Sequence, residues 1–115
     1  MSDPTGLILV ISTVESAEDA ASLARTLVDR GIAACVQIDG PITSHYRWQG
    51  KLHQSAEYRL MIKTTSDRWP DLKLDLDQMH PYDEPEIILL PIAEASTGYR
   101  DWVVSQTADS DTASD

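Results

Sequence analysis

Two extended segments joined by a turn near Gly50 are the feature that most constrains how this chain can fold. The first segment covers residues 32–48 and is interrupted at Gly40 and Pro41, and the return segment covers residues 58–64. In the return segment apolar and polar side chains alternate, which is typical of a strand that buries one face. The two segments therefore predict a long β-hairpin that is bent or bulged at Gly40.

The residues before this hairpin predict a strand and a helix. Residues 7–11 form a short apolar run, which suits a central strand that is buried on both faces. A helix follows, because Ser16 can cap its first turn and Gly31 suits its end. The predicted apolar face of this helix comprises Ala20, Leu23, Ala24, Leu27 and Val28.

The residues after the hairpin repeat the pattern. Residues 67–79 predict a helix with Pro70 in its first turn, where the missing N–H does little harm. Its apolar stripe comprises Leu72, Leu76 and Met79. Residues 86–92 predict a strand whose end lies at a sheet edge or at an irregularity, because Pro91 cannot donate to a ladder.

Thr97 is predicted to cap a short last helix, whose apolar and aromatic residues are Tyr99, Trp102 and Val103. The order strand, helix, strand, strand, helix, strand defines the fold class. We expect an α+β protein, a ferredoxin-like βαββαβ sandwich with a long bent hairpin and a short C-terminal helix.

Length and charge limit the domain organisation and the partners. The 115 residues suit one domain, which we expect to span residues 1–106. Residues 107–115 are expected to form a disordered acidic tail, because they contain no core-forming pattern. The formal net charge of −10 opposes binding to nucleic acid and to anionic membranes.

Cysteine content and hydropathy predict a cytoplasmic protein. Cys35 is the single cysteine, so no intramolecular disulfide and no cysteine-rich zinc site can form within one chain. The first residues lack the basic start and apolar core of a secretory signal. The apolar runs also fall far short of the ~20 residues that span a bilayer.

Six short motifs resemble those of the CutA family, the divalent-cation tolerance proteins. In chain order they are ACV at 34–36, YRWQGK at 46–51, IKT at 62–64, HPYDEPEI at 80–87, LPI at 90–92 and YRDW at 99–102. The resemblance extends from about residue 7 to residue 104. It implies a ferredoxin-like fold, a tight homotrimer, a usually cytoplasmic location and a role in copper tolerance, with no established enzymatic reaction.

The sharpest functional hypothesis is a metal site near His80, which precedes the rigid Pro81. Three carboxylates lie close in sequence, on Asp83, Glu84 and Glu86. Imidazole and carboxylate ligands suit copper or zinc, so His80 and Glu86 are the predicted ligands of a weakly bound Cu²⁺. The alternative is that these carboxylates are only solvated and point in different directions. As a residue at a helix end, His80 is expected to contribute little to the core.

The resemblance also bears on how strong such a site is. In copper-binding relatives the proposed ligands include the histidine that aligns with His80, a histidine just before it, and a cysteine at the end of the first strand. This chain has Met79 and Ser12 at the last two positions. Because a serine hydroxyl is a poor copper ligand and a thioether prefers the reduced ion, copper binding is expected to be weak.

Aromatic side chains with polar tips predict a cleft or an interface. Tyr46 and Trp48 are expected on one side of their extended segment. One interpretation makes them a subunit contact. The other makes them part of an inter-subunit cleft for a small molecule, in a trimeric sensor similar to the PII signalling proteins. The candidate cleft or interface residues are Tyr46, Trp48, Lys63, Tyr82 and Trp102, together with Glu86.

The remaining reactive side chains have simpler interpretations. Cys35 lies in an apolar run and is expected to be a small buried residue. His45 and His53 flank the turn and fit no recognised ligand spacing, so they are expected to be exposed histidines in a loop. No motif places a nucleophile beside His80, and the scattered glycines form no phosphate-binding loop. We therefore do not expect an enzyme.

Overall fold

The computed structural model describes residues 4–108, in which six elements follow the order βαββαβ and a third helix comes last. The elements are β1 (Leu7–Val14), α1 (Ala17–Asp29), β2 (Cys35–Trp48), β3 (Lys51–Thr65), α2 (Trp69–Met79), β4 (Ile87–Pro91) and α3 (Thr97–Gln106), with a short 3-10 helix (Ser66–Arg68) before α2. The strands form one antiparallel sheet in the order β2, β3, β1, β4. This topology confirms the predicted ferredoxin-like fold class. Across residues 4–108, no helix has the length and apolar character that crossing a membrane requires.

β1 is the central strand, as its apolar run predicts. It pairs with β3 along one edge and with β4 along the other. Ile8 and Val10 are almost completely buried. β4 ends the sheet on this side, and Pro91 pairs there with Ile8, which agrees with the predicted edge position.

α1 and α2 cover one face of the sheet and form the main core with it. The buried residues of this core include Ile8, Val10, Val14, Leu60 and Ile62 from the sheet and Ala20, Leu23, Leu27, Leu72 and Leu76 from the helices. The predicted apolar stripes are therefore confirmed in their central positions. Val28 is an exception, because its side chain is 45% exposed. Successive residues are about 100° apart around a helix, so Val28 points to the side of the buried Leu27 and away from the sheet.

The predicted ends of α1 are also confirmed. The hydroxyl oxygen of Ser16 accepts a hydrogen bond from the backbone N–H of Asp19 at 3.0 Å. This bond satisfies one of the donors that a first helical turn leaves without a partner. Gly31 follows the helix with a φ of 70°, a conformation that glycine adopts without steric cost.

The opposite face of the sheet is covered at one end by α3 and elsewhere carries accessible apolar side chains. Val103 of α3 packs with Leu7, Ala34 and Ile92. Because side chains alternate along strands, the neighbouring apolar residues on this face are Leu9, Ile11, Met61, Ile88 and Leu90. We call these five residues the open face. Ile88 and Leu90 of the open face are each 45% exposed.

β2 and β3 form the predicted long hairpin, and its bend is a β-bulge. The register shifts between Asp39 and Ile42, so Gly40 and Pro41 lie in the bulge while the strands stay paired on both sides. The bulge changes the direction of β2 without ending it. The outer half of the hairpin can therefore extend past the core and still be held by backbone hydrogen bonds.

The return strand is longer than its alternation predicts. It begins at Lys51, whereas the predicted arm begins at Tyr58. The connecting turn has positive φ angles at Gln49 (51°) and Gly50 (77°), as a two-residue hairpin turn requires. The hairpin is therefore paired up to its turn.

The last helix and the C-terminal boundary differ slightly from prediction. α3 begins at Thr97, so Ser96 and not Thr97 occupies the cap position. Thr107 was expected to begin the tail, but it is 2% exposed and its hydroxyl donates a 2.8 Å hydrogen bond to the carbonyl oxygen of Val103. The folded part therefore includes Thr107. From residue 109 onward, the predicted disordered tail lies outside the described residues.

The bulge predicts that Gly40→Ala strongly destabilises the protein. Gly40 has a φ of 150°, and an added Cβ would lie 2.7 Å from Cδ2 of Tyr58 and 2.9 Å from the carbonyl oxygen of Glu57. Backbone strain and overpacking each cost on the order of 1–3 kcal/mol. We therefore expect urea denaturation to give an unfolding free energy at least about 2 kcal/mol below wild type.

Gly98→Ala in α3 is the matched control, because no atom lies within 4 Å of a Cβ added there. This variant should be at least as stable as the wild type, because alanine favours a helix more than glycine does. Equal stability of the two variants would contradict the steric account of the bulge.

Candidate functional site

A groove of about 670 Å³ lies where the outer half of the hairpin meets the end of β1 and residues 82–86. Tyr46, Trp48 and Tyr82 line it, and so does Glu86. The structure therefore brings together four of the residues that the sequence assigns to a cleft or an interface. We refer to this region as the groove.

The pairing of the hairpin strands builds an aromatic wall. Tyr46 and Trp48 are two residues apart on β2 and share a face, as predicted. His53 pairs with Tyr46 across the strands, and the two rings stack with centroids 5.5 Å apart and planes at 14°. Tyr46 and Trp48 are 44% and 51% exposed, so their ring faces are accessible to a ligand in this chain.

Five carboxylates surround the groove, and no lysine or arginine among the described residues lines it. Glu15 follows β1 and Glu57 lies in β3, whereas Asp83, Glu84 and Glu86 precede β4. Within residues 4–108, no group of three or more His, Cys, Asp and Glu side chains is arranged to hold a metal ion. The carboxylates therefore create a negative potential along the groove rather than one chelating point.

Tyr82 connects two of the acidic segments. Its hydroxyl donates a 2.9 Å hydrogen bond to Oε2 of Glu57. Burial, together with the bond and the charge of Glu57, raises the pKa of Tyr82, so the phenol stays protonated at neutral pH and remains a donor. This bond holds residues 82–86 against β3.

His80 is buried, and both of its ring nitrogens have protein partners. Nδ1 accepts a hydrogen bond from the backbone N–H of Tyr82 at 3.1 Å, which assigns the ring proton to Nε2. Nε2 donates to the carbonyl oxygen of Thr13 at 2.9 Å and lies 3.1 Å from the hydroxyl of Ser12. In this arrangement the imidazole is neutral and has no free lone pair.

The surroundings of His80 differ from those expected at a helix end. The residue caps the C-terminus of α2, and its bonds tie that end to β1. Burial lowers its pKa, although the Thr13 carbonyl and the charges of Asp19 and Glu57 act in the opposite direction. The expected small contribution of His80 to the core is therefore wrong. Its role as a metal ligand with Glu86 stays a prediction, and ligation would require the release of a ring nitrogen.

The positions that the resemblance assigns to copper ligands are partly brought together. Ser12 is buried and lies beside the ring of His80. Met79 instead packs against the main core with part of its surface. The chain thus places a hydroxyl next to the imidazole at the position where the resemblance implies a thiol.

Lys63 and Trp102, the other predicted cleft or interface residues, do not line the groove. The amino group of Lys63 donates a hydrogen bond to the side-chain oxygen of Gln37. Trp102 lies on α3, where the centroid of its ring is 5.7 Å from the centroid of the Tyr99 ring. Cys35 is only half-buried, so the expected burial of its thiol is not complete in a single chain.

The family of the chain follows from comparison with known sequences. The profile of the CutA1 divalent ion tolerance protein family matches residues 8–106. The chain belongs to this family. The divalent-cation tolerance protein CutA of Thermus thermophilus is 44% identical to it over 99 residues, which cover 86% of this chain and 96% of that protein.

Solved CutA structures have the same fold. The structure of the divalent cation tolerance protein from Thermus thermophilus superimposes with a TM-score of 0.85 at 43% identity, covering 89% of this chain and 99% of that one. A CutA from Archaeoglobus fulgidus, described as a periplasmic divalent cation tolerance protein, gives a TM-score of 0.84 at 30% identity, covering 88% and 98% of the two chains. The family resemblance of the six sequence motifs is therefore confirmed.

Sequence reasoning missed Glu15 and Glu57 as groove residues. His53 is exposed as expected, but it faces Tyr46 rather than lying in a loop. Extending the alternation of the return arm back from Tyr58 toward the turn would have placed His53 and Glu57 on one face. Glu15 carries no comparable signal, because it reaches the groove only through the pairing of β1 with β3.

The buried neutral state of His80 predicts a specific pH dependence of stability. Its pKa is lowered in the folded protein, whereas an unfolded histidine titrates near 6.5. The unfolded chain therefore takes up the proton first. The stabilisation is complete above about pH 6.5 and is lost as the pH falls from there through the folded-state pKa.

Urea titrations at several pH values below about 7.5 measure this effect as a slope of unfolding free energy against pH. His80→Gln should make that slope shallower. The wild-type slope in His80→Gln would assign the pH dependence to other groups.

Proposed function

We propose that this chain is a non-enzymatic, trimeric protein that binds divalent cations weakly at its acidic groove and acts in cation tolerance. The observation that carries the proposal is the charge of the groove, which is lined by five carboxylates and by no lysine or arginine of the described residues, although the charge of Arg59 acts on Glu86. Membership of the divalent ion tolerance family supports the same function. The family name describes tolerance and no reaction.

The arrangement of the carboxylates suggests how such cations are held. A chelating zinc site needs three or four ligands that meet at roughly 2.0–2.3 Å from the metal. The groove carboxylates instead stand on three separate segments around a shared space. We infer that they concentrate cations near the surface and distinguish poorly between them.

Weak copper(II) binding through His80 and Glu86 is the finer part of this proposal. The nitrogens that would bind copper now serve the backbone groups of Tyr82 and Thr13. Leaving one such buried group without a partner costs about 1–3 kcal/mol, which copper binding would have to offset. Ser12 adds only a hydroxyl beside the ring. We therefore expect affinity for copper to be low.

Assembly as a homotrimer is proposed from the surfaces that a single chain leaves uncovered. The open face carries five apolar side chains that are half-buried or exposed. β2 and β4 also end the sheet on its two sides, with backbone groups directed away from their one neighbouring strand. Contact between copies through the open face and a sheet edge would bury both features.

A PII-like sensor with a small molecule in an inter-subunit cleft is the second candidate. The accessible rings of Tyr46 and Trp48 support an organic ligand, since such sites are largely aromatic and apolar. The five carboxylates, however, would repel the phosphates of a nucleotide. Charge therefore favours a cationic ligand over a nucleotide.

We also propose a cytoplasmic location and no binding to nucleic acid or membranes. Cys35 has no second cysteine in the chain with which to form a disulfide, and a reducing compartment suits such a protein. The net charge of −10 repels phosphate backbones and anionic lipid headgroups.

Trimer formation through the open face predicts that Leu90→Glu gives monomers. Leu90 is 45% exposed, and an unpaired carboxylate buried there between chains would cost several kcal/mol. Leu74→Glu is the matched control, because Leu74 is 54% exposed on α2, which packs on the other face of the sheet. Sedimentation equilibrium at micromolar concentration should show trimers for wild type and Leu74→Glu. A monomeric wild type would exclude the trimer, and a trimeric Leu90→Glu would move the contact elsewhere.

Cation binding at the groove predicts that Glu84→Gln combined with Glu86→Gln weakens it. Each exposed ionic interaction contributes about 0.2–1 kcal/mol, so the affinity for Zn²⁺ or Mg²⁺ in calorimetry should fall roughly fivefold. The double variant Glu18→Gln with Glu94→Gln removes two exposed carboxylates outside the groove and should bind like the wild type.

The same titration with Cu²⁺ tests whether copper binds through His80 and Glu86. Loss of the copper signal in His80→Ala, with zinc binding retained, would place copper at His80. Absence of heat with every divalent cation in the wild type would sink the proposal as a whole.

A further inference from the structure

We propose that the groove binds an extended aliphatic polyamine through its protonated amino groups. This inference rests on the proposed function, because it uses the same negative groove, but it names a different class of cation. Two features support it together. The carboxylates are spread along the groove, and accessible aromatic rings share the groove with them.

The spread of the carboxylates suits a ligand whose positive charges are also spread. Glu15, Glu57 and Glu84 stand on three different segments of the chain. Among residues 4–108, no three ligating side chains converge on a point, as a metal ion with its charge at one centre requires. A polyamine carries ammonium groups separated by methylene chains, so each can form a charge-assisted hydrogen bond with a different carboxylate.

The aromatic wall favours an organic cation over a hydrated metal ion. Trp48 and Tyr46 are 51% and 44% exposed along one side of the groove. Ammonium groups are attracted to the faces of such rings, and indole is the best of them. The methylene chains of a polyamine would also gain by leaving water at these rings, whereas a hydrated divalent ion has no apolar part to bury.

The walls of the groove are held in place by contacts within the chain. The hydrogen bond from Tyr82 to Glu57 joins residues 82–86 to β3. The stacking of His53 on Tyr46 restricts the Tyr46 ring. A flexible ligand therefore meets a partly preorganised surface, which lowers the entropy that binding must overcome.

Calorimetric titration of the full chain with spermidine tests the proposal, with putrescine and n-butylamine as ligands of successively lower charge. Affinity should fall in that order, by roughly fivefold for each charge lost. Trp48→Leu should weaken spermidine binding by roughly two- to fivefold. Trp48→Phe keeps an aromatic face and should recover part of the loss. Trp102→Leu changes an exposed tryptophan outside the groove and should bind like the wild type.

The outcomes separate this inference from the proposed function. Zinc binding that depends on the groove carboxylates, without spermidine binding, would overturn the inference and leave the proposed function intact. Spermidine binding that is insensitive to Trp48→Leu would mark diffuse charge attraction and would also overturn the inference. Binding of neither ligand would overturn both. Spermidine binding that requires Trp48, without any divalent-cation binding, would support the inference and reject the divalent-cation role.

Discussion

The position of β1 between β3 and β4 is the constraint from which both the core and the groove follow. β1 is paired along both edges, so its ladders fix the register of the return arm of the hairpin and of β4. Its inward side chains anchor the layer of α1 and α2. Its C-terminal end also supplies the Thr13 carbonyl that holds His80, and the chain then continues into Glu15 of the groove. A change of register in β1 would therefore displace core and groove together.

The ring nitrogens of His80 form structural hydrogen bonds, and these bonds occupy the lone pair that a metal ion would need. Its two ring nitrogens connect the end of α2 and the backbone of Tyr82 to β1. A histidine that ligates a metal needs a nitrogen lone pair directed at the ion, and here that lone pair accepts the Tyr82 N–H. In this position the imidazole holds one wall of the groove, and the acidic residues that follow it provide the charge. For the proposed cation binding, the groove carboxylates and aromatic rings therefore offer more accessible groups than the histidine does.

Periodicity and proline positions were enough to predict the fold, because each helix and strand buries one face against the same core. The apolar stripe of α2 and the alternation that places Leu60 and Ile62 on one face of β3 both result from that burial. The interruption at Gly40 was also predicted, as a bend or a bulge, and the structure shows a bulge with the strands paired on both sides. The sequence could not predict how deeply a side chain is buried or which residues of different strands come together. The burial of His80 and the placement of Glu15 and Glu57 around one groove both depend on how separate strands meet, and no local pattern encodes that.

The groove and the open face are not independent surfaces. Thr13 lines the groove, and by strand alternation it lies on the same face of β1 as Ile11 of the open face. The apolar part of this face has few charges to desolvate and suits contact between copies, whereas the acidic end would resist burial against a second acidic chain. Assembly through the open face would therefore bring a neighbouring copy up to the border of the groove and leave its carboxylates in contact with water. A cation bound there would then lie beside an interface, where neutralising the carboxylates also lessens repulsion between chains that each carry a net charge of −10.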